Sequence, residues 1–200
     1  MELLQRRHWI FDLDGTLTEP VHDFDRLRAE LGLPAGVGTL EALQEVSEPR
    51  RSELVERLNE IGWEYALLSK LQEGAREFLD GLVERGCKLG VVTRNNRRNL
   101  DESLRLIECE DLFPHEVRVS RDDPPAKPAP EPLLRLLEAW QASADDAVMV
   151  GDAIYDLQAG RAAGTATLYL DPSGGQGPHG DWADARFSSW LDLLPCLADS

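Results

Sequence analysis

The sequence contains few cysteines, no long apolar run and little positive charge for its size. Its three cysteines, Cys87, Cys109 and Cys196, are odd in number and widely spaced, so they fit neither a disulfide framework nor a zinc site. The opening residues, MELLQRRH, lack the apolar segment of a signal peptide, and no stretch approaches the length of a membrane span. We therefore expect a cytoplasmic protein with reduced thiols and no membrane partner.

Basic residues are scarce relative to acidic ones. The chain has 21 Lys and Arg against 37 Asp and Glu, which gives a net charge of −16. Such a surface repels the phosphate backbone of nucleic acids, so we expect no nucleic-acid partner. An anionic substrate would need a local positive centre, and a bound divalent cation is one such centre. The acidity by itself indicates only a well-solvated surface.

Short apolar runs indicate the fold class. They predict five β-strands, at residues 8–12, 87–93, 116–120, 147–151 and 166–170. From residue 74 onward the runs alternate with helical patterns, which indicates a parallel sheet with helices on both faces. The 200 residues, 42% of them hydrophobic, suffice for a full core. We predict an α/β fold with a Rossmann-like parallel sheet of about five strands.

Residues 18–72 differ from the rest of the chain because they contain no β-rich run. Helical patterns cover residues 25–31, 40–46 and 50–61, with prolines and glycines between them. We therefore predict a small helical segment inserted after the first strand.

Two aspartates follow the first predicted strand directly. Asp12 and Asp14 are two residues apart, so in an extended chain their carboxylates point to the same side. Two like charges about 4 Å apart repel by roughly 4 kcal/mol at an effective dielectric constant near 20, and a hard divalent cation offsets that repulsion. Gly15 permits a tight turn here. An ordinary Asp-Gly turn explains this cluster equally well when it is taken alone.

Three more polar clusters occur at strand ends or in a loop. Thr93 ends the second strand and can bind a phosphate oxygen, although a helix cap is the ordinary reading. Lys127 lies in the proline-rich loop 122–132 and can present a positive charge to an anion. Asp152 and Asp156 follow the fourth strand, where acids also cap helices. Because ligands bind at the carboxyl ends of parallel strands, the combination predicts a phosphoryl-transfer site.

These clusters carry a resemblance to a known family. The chain resembles the haloacid dehalogenase-like hydrolases, in particular the phosphoglycolate phosphatase-like branch, through the stretches FDLDGTL (11–17), VVTRN (91–95), AKP (126–128) and GDAIYD (151–156). The resemblance covers essentially the whole chain. It implies a core of residues 1–17 and 73–200. It also implies that the helical segment 18–72 is the family's cap domain, with its joints near residues 17–20 and 71–74.

The resemblance also implies the catalytic roles. Asp12 attacks phosphorus and becomes an aspartyl-phosphate, while Asp14 protonates the leaving oxygen and then activates water. Thr93, Arg94 and Lys127 bind the phosphoryl group. Family members that release halide lack an acid at the position of Asp14, so its presence favours phosphate-ester chemistry.

A magnesium site is implied in the same way. Its expected ligands are the carboxylates of Asp12 and Asp152 and the backbone carbonyl of Asp14, and the expected supporting residues are Thr16, Gly151 and Asp156. The prediction is a Mg²⁺-dependent phosphatase, a monomer or homodimer, that acts on a small phosphorylated metabolite.

The sequence motifs occur in three other kinds of protein. A phosphomutase shares all four motifs and differs in the cap, and a catalytically silent binding protein of the same family would also retain them. Response-regulator receiver domains use strand-end aspartates, a Thr or Ser and a Lys-Pro pair, but their phosphorylated aspartate lies on a later strand and they have no cap. This chain has no aspartate in 89–92, so that reading is disfavoured.

The insert offers several candidate substrate contacts, each with a simpler explanation. Arginines that can contact an anion, or lie on a solvated helix face, are Arg50, Arg51 and Arg57. Residues that can shape a pocket, or serve only in the core or at its rim, are His22, Trp63 and Tyr65. We expect no catalytic role for His179 in the glycine-rich loop.

Overall fold

A single sheet forms the centre of the fold. In the computed structural model, which describes residues 2–21 and 23–198, its strands are β1 (His8–Phe11), β2 (Lys88–Val92), β3 (Arg118–Val119), β4 (Ala147–Gly151), β5 (Ala166–Leu170) and β6 (Ala185–Phe187). The six strands are parallel, in the order β3-β2-β1-β4-β5-β6. This confirms the predicted α/β fold and adds β6, which was not predicted.

Eight α-helices occur in the described residues. They are α1 (Phe24–Leu31), α2 (Thr39–Gln44), α3 (Arg50–Ala66), α4 (Ala75–Glu84), α5 (Arg97–Leu106), α6 (Glu131–Trp140), α7 (Ile154–Ala163) and α8 (Leu194–Ala198). None of the helices in this described part is long and apolar enough to span a membrane. Within the described residues, Cys87, Cys109 and Cys196 form no disulfide bond.

The sheet is covered on both faces, and β1 contributes to both layers. Trp9 and Phe11 belong to the larger buried cluster, which includes residues of α4 and α5, whereas Ile10 belongs to a second cluster with residues of α6 and α7. This division follows from the alternation of side chains along a strand. Burial on both faces also explains why these strands are continuous apolar runs in the sequence.

The strand order places the polar motifs together at the carboxyl ends of the central strands. β1 pairs with β2 through Phe11 and Val91, and with β4 through Phe11 and Val150. The carboxyl ends of these three strands are therefore level with one another. The chain leaves β1 for one side of the sheet and later returns to the other side, and such a switch point leaves a crevice where ligands bind.

The two edge strands are the least regular part of the sheet. β3 has only two residues and follows a 3₁₀ helix, His115–Val117, although the sequence predicts a strand over 116–120. Arg118 in β3 donates a hydrogen bond to the Asp101 carboxylate at 2.9 Å. β6, on the opposite edge, has three residues including Arg186, and so short a run carries no strand pattern.

Helices α1, α2 and α3 form a separate helical insert, defined here as residues 18–72. It has its own buried cluster, built from the residues Leu27, Leu31, Leu33, Ala42, Leu43, Leu54, Leu58 and Ile61. The two segments that join it to the sheet lie side by side. The Glu19 N–H donates to the Lys70 carbonyl at 2.8 Å, and the Gln72 N–H donates to the Leu17 carbonyl at 2.9 Å. Chain entry and exit thus share one narrow connection.

Candidate active site

Lys127 lies at the centre of the site. Its ammonium donates hydrogen bonds to Asp12 Oδ1 at 2.6 Å, to Asp156 Oδ1 at 2.6 Å and to the Val92 carbonyl at 2.5 Å. These acceptors satisfy all three ammonium protons of a side chain that is 1% exposed. Burial alone would lower the pKa of Lys127, but the Asp12 and Asp156 carboxylates outweigh it and raise that pKa above its usual value. Lys127 therefore stays charged.

Three carboxylates surround this lysine. Asp12, Asp152 and Asp156 each offer an oxygen, and these oxygens lie within 4.8 Å of one another. Burial raises the pKa of Asp12 well above its usual range although Lys127 opposes this, and burial together with Asp156 raises the pKa of Asp152 to about 7. One lysine cannot balance three carboxylates. The oxygen-only donor set and its surplus negative charge fit a hard divalent cation such as Mg²⁺.

Asp156 differs from the other two carboxylates because both of its oxygens are already engaged. Oδ1 accepts from Lys127, and Oδ2 accepts from the Ala153 N–H at 3.0 Å, at the start of α7. This arrangement leaves Asp12 and Asp152 better placed to bind a cation, and the supporting role of Asp156 stays a prediction.

Asp14 faces the end of β2. Thr93 Oγ1 donates to Asp14 Oδ2 at 3.1 Å, and Asn95 Nδ2 lies 3.5 Å from the same oxygen. The Thr93 hydroxyl also accepts the Asn95 N–H at 3.0 Å. The Asp14 side chain is thus directed toward the threonine, and among the described residues it is not part of the three-carboxylate cluster.

Two glycines allow the acidic side chains to approach so closely. Gly15 has φ +87°, and a Cβ there would lie 2.5 Å from Asp152 Oδ2. At Gly151 a Cβ would lie 2.3 Å from the Asp156 Cβ. Thr16 completes this packing, because its hydroxyl donates to Asp152 Oδ1 at 2.8 Å. Gly151 and Thr16, two of the residues predicted to support the site, therefore make room for a carboxylate or contact one.

Arg94 connects the site to the helical insert. It donates to both oxygens of Glu41 in α2, at 2.8 and 2.7 Å, and it also donates to the Lys127 carbonyl. Its guanidinium lies 3.9 Å from the centre of the Tyr155 ring. The predicted phosphate contact of Arg94 stays a prediction, since in this structure its charge is paired with Glu41. No local pattern in the sequence indicated Glu41, and Tyr155 occurred only within the stretch 151–156 without an assigned role.

A cavity of about 340 Å³ opens between the sheet edge and the helical insert. Site residues that line it include Asp12, Asp14, Thr93, Lys127 and Asp152, and apolar or aromatic residues of the insert that line it are Phe24, Leu27, Leu40, Leu58 and Tyr65. This volume is typical of pockets for small molecules. We call the five lining residues of the insert, from Phe24 to Tyr65, the apolar wall.

The other candidates in the insert have different surroundings. Trp63 packs against Arg98, whose guanidinium lies 3.8 Å from the ring centre, and His22 lies outside the described residues. The three candidate arginines of the insert pair with nearby glutamates, in the pairs Arg50–Glu53, Arg51–Glu48 and Arg57–Glu60. Such exposed pairs are typical of a solvated helix face. His179 packs against Tyr169, with 5.9 Å between ring centres.

The sequence model of the haloacid dehalogenase-like hydrolase family matches residues 7–164. The chain belongs to this family. The matched region runs from just before β1 to the end of α7, so it includes the helical insert and the whole three-carboxylate cluster.

Individual relatives agree with this assignment. A haloacid dehalogenase-like hydrolase domain-containing protein of Arabidopsis thaliana is 32% identical over 183 residues, which cover 84% of this hydrolase and 72% of that protein. Pyrophosphatase PpaX of Bacillus cereus (strain Q1) is 29% identical over 208 residues, with 95% of each chain covered. A solved hydrolase from Pseudomonas syringae shares the fold, with a TM-score of 0.80, 22% identity and coverage of 97% of this chain and 99% of that one.

Proposed function

We propose that this haloacid dehalogenase-like hydrolase is a Mg²⁺-dependent phosphatase that hydrolyses a small phosphate monoester through an aspartyl-phosphate on Asp12. The observation that carries the proposal is the position of Lys127. Its ammonium holds Asp12 and Asp156 together at 2.6 Å each, at the edge where Asp14 and Thr93 face the same cavity. A nucleophile, a proton donor and a positive charge thus surround one space.

The residues that would hold the cation are the Asp12 and Asp152 carboxylates and the backbone carbonyl of Asp14, with Asp156 in support. When bound, Mg²⁺ supplies positive charge that offsets the negative charge of the transferring phosphoryl group. The three-carboxylate cluster and the raised pKa values of Asp12 and Asp152 support this assignment.

The first chemical step uses Asp12 and Asp14. An oxygen of Asp12 forms a bond to phosphorus while the ester P–O bond breaks, and Asp14 gives a proton to the departing oxygen. The Thr93 hydroxyl binds a phosphoryl oxygen. Lys127, whose three protons are already bonded, holds the phosphoryl group by its charge and so stabilises the transition state. The lysine also orients Asp12 for attack, because it bonds the Asp12 carboxylate directly.

The second step returns the enzyme to its starting state. Asp14, now ionised, takes a proton from a water molecule that attacks phosphorus. The bond between phosphorus and the Asp12 oxygen breaks, and inorganic phosphate leaves. Dividing hydrolysis into two displacements lowers the barrier of each, which is the advantage of covalent catalysis.

We propose that residues 18–72 act as a cap over a core of residues 1–17 and 73–200. The separate buried cluster of the insert and its single narrow connection support this division. Polar contacts between the two parts also support a closed position, notably Glu41 with Arg94 at 2.7 Å and Ser69 with Ser103 at 2.9 Å. Closure of such a cap excludes water and positions the leaving group.

We further propose a small phosphorylated metabolite as the substrate, a cytoplasmic location, no nucleic-acid partner, and a monomer or homodimer. The cavity of about 340 Å³ supports a small substrate, and the net charge of −16 disfavours nucleic acid. The three cysteines, which form no disulfide in the described part of the chain, suit a reducing compartment.

The test is a panel of small phosphate esters, assayed for phosphate release with and without Mg²⁺, beside the Asp12→Asn variant. We expect Mg²⁺-dependent release from at least one ester and none from the variant, whose folding is checked by circular dichroism. Product analysis by ³¹P NMR separates a phosphatase from a phosphomutase, because a mutase leaves phosphate on the sugar. A panel without any turnover would favour a silent binding protein.

A further inference from the structure

Arg121, which follows β3, is a cavity residue that the proposed mechanism does not use. Its half-buried side chain lines the cavity of the active site. The side chain donates a hydrogen bond to Asn59 Oδ1 of α3, and its backbone N–H donates to the Asn95 carbonyl at 2.9 Å. Among the described residues no carboxylate forms an ion pair with it. The neighbouring Asp122 carboxylate accepts the Arg97 N–H instead, at 2.8 Å.

The other arginines of the cavity are paired. Arg28 forms an ion pair with Asp25, and Arg94 pairs with Glu41 at 2.7 Å. Burial lowers the pKa of Arg121, and the nearby positive charge of Arg94 lowers it further despite the opposing effect of Asp122. A guanidinium that is withdrawn from water without a carboxylate partner is incompletely compensated. An anion that enters the cavity would supply the missing partner.

The rest of the cavity limits where such an anion can bind. The acids that line it in the described chain, Asp12, Asp14, Asp152 and Asp156, all belong to the catalytic motifs. The apolar wall of the insert contributes no acid. A ligand whose phosphoryl group lies at Asp12 can therefore place an apolar body along this wall and a second negative group at the guanidinium of Arg121.

We infer that Arg121 is a specificity residue that binds a second anionic group, a carboxylate or a phosphate, on the leaving group of the substrate. This inference rests on the proposed phosphatase function. The substrate class is then a phosphate monoester with a short apolar body and an anion at its far end. A planar guanidinium suits either anion, because it donates two parallel hydrogen bonds to carboxylate or phosphate oxygens.

A purely structural role for Arg121 is the competing explanation. In that case its hydrogen bond to Asn59 would only hold the loop after β3 against the helical insert. Removal of either partner would then change the kinetics in the same way. The two explanations differ in one readout, the preference for an anionic leaving group over a neutral one of the same length.

The experiment compares kcat/KM, in the presence of Mg²⁺, for three esters and their shorter and longer homologues. These esters are 4-phosphooxybutanoate, butane-1,4-diol bisphosphate and n-butyl phosphate. All three release a primary alcohol on a four-carbon chain, and they differ in the terminal group. The proteins are the wild type, Arg121→Gln and Arg121→Lys. Asn59→Ala removes the structural partner, and Arg28→Gln removes a paired arginine from the same cavity.

For the wild type we expect a preference of roughly ten- to hundredfold for an anionic ester of the best-fitting length, which corresponds to a hydrogen-bonded charge pair. The preference should lie mainly in KM. It should fall to about one in Arg121→Gln, remain in part in Arg121→Lys, and persist in Asn59→Ala and Arg28→Gln. Whichever of the two anionic esters has the higher kcat/KM identifies the preferred anion as carboxylate or phosphate.

A wild-type ratio near one at every chain length would overturn the inference, as would an unchanged ratio in Arg121→Gln or an equal loss in Asn59→Ala. Each of these results leaves phosphate release intact, so the proposed function would survive. If no ester is hydrolysed, the proposed function fails. In that case calorimetry measures the affinity of the Asp12→Asn protein for each of the three esters. Equal affinity for the anionic and the neutral esters would overturn the inference as well.

Discussion

Lys127 Nζ lies 2.6 Å from Asp156 Oδ1, and this bond joins the proline-rich loop to the first turn of α7. Lys127→Met should lower the free energy of unfolding by about 3–5 kcal/mol near neutral pH, because the substitution leaves buried carboxylates without a cation. Urea denaturation measures the change. The control is Lys88→Met, which removes an exposed lysine from β2. Equal stability of the two variants would contradict the central position given to Lys127.

The stability of the metal-free protein should depend on pH in an unusual direction. The pKa of Asp152 is about 7 in the folded state against 3.8 for an ordinary aspartate, and that of Asp12 is also raised. The folded state therefore retains protons that the unfolded state loses. Without metal, stability should fall as pH rises from about 4 to about 7.

Mg²⁺ should reverse this trend, because cation binding requires ionised carboxylates. We expect the rise in Tm caused by Mg²⁺ to be larger at pH 8 than at pH 5.5, as measured by scanning calorimetry at equal ionic strength. A Mg²⁺ effect that is the same at both pH values would show that these two aspartates do not hold the cation.

Gly15→Ala should weaken cation binding in addition to destabilising the fold through backbone strain. The new Cβ would lie 2.5 Å from Asp152 Oδ2, so that carboxylate must move. Gly36→Ala is the matched control, because Gly36 also has a positive φ, +75°, but has nothing within 4 Å of the added Cβ. Both variants should lose about 1 kcal/mol of stability to strain. Only Gly15→Ala should lose the Mg²⁺-dependent rise in Tm.

Glu41→Gln should affect substrate affinity more than folding. Its partner Arg94 is 19% exposed and the Glu41 side chain is 40% exposed, so the ion pair contributes no more than about 1 kcal/mol. Because the pair joins the helical insert to the edge of the site, we expect KM to rise about two- to fivefold. Steady-state kinetics of this variant measure KM. The control is Glu53→Gln, which removes one partner of a surface ion pair of α3. A KM unchanged from that control would remove any role for this contact in closure.

The sheet and the convergence of motifs were predictable because they depend on local rules. Apolar runs define buried strands, and parallel strands bring their carboxyl ends to one edge. Asp12 and Asp152 are far apart in sequence, yet each follows a central strand directly. Their proximity in the three-carboxylate cluster follows from the strand order.

Contacts between elements distant in sequence were not predictable in this way. The pairing of Arg94 with Glu41 depends on how the helical insert docks, and no spacing rule connects those positions. Trp190 is another example, since its indole N–H donates to the Thr16 carbonyl at 3.0 Å across 174 positions. Nothing in the sequence distinguishes Arg121 from the other arginines, because the lack of a carboxylate partner within the described residues is apparent only in three dimensions.

Trapping the covalent intermediate tests the nucleophile most directly. The protein is mixed with a hydrolysed ester and Mg²⁺, quenched in acid during turnover and treated with borohydride, which reduces an aspartyl-phosphate to homoserine. Mass spectrometry of the tryptic peptide covering residues 8–26 then locates the change. We predict homoserine at Asp12 and none in the Asp12→Asn protein. Homoserine at Asp14 instead, or full turnover by Asp12→Asn, would contradict the mechanism.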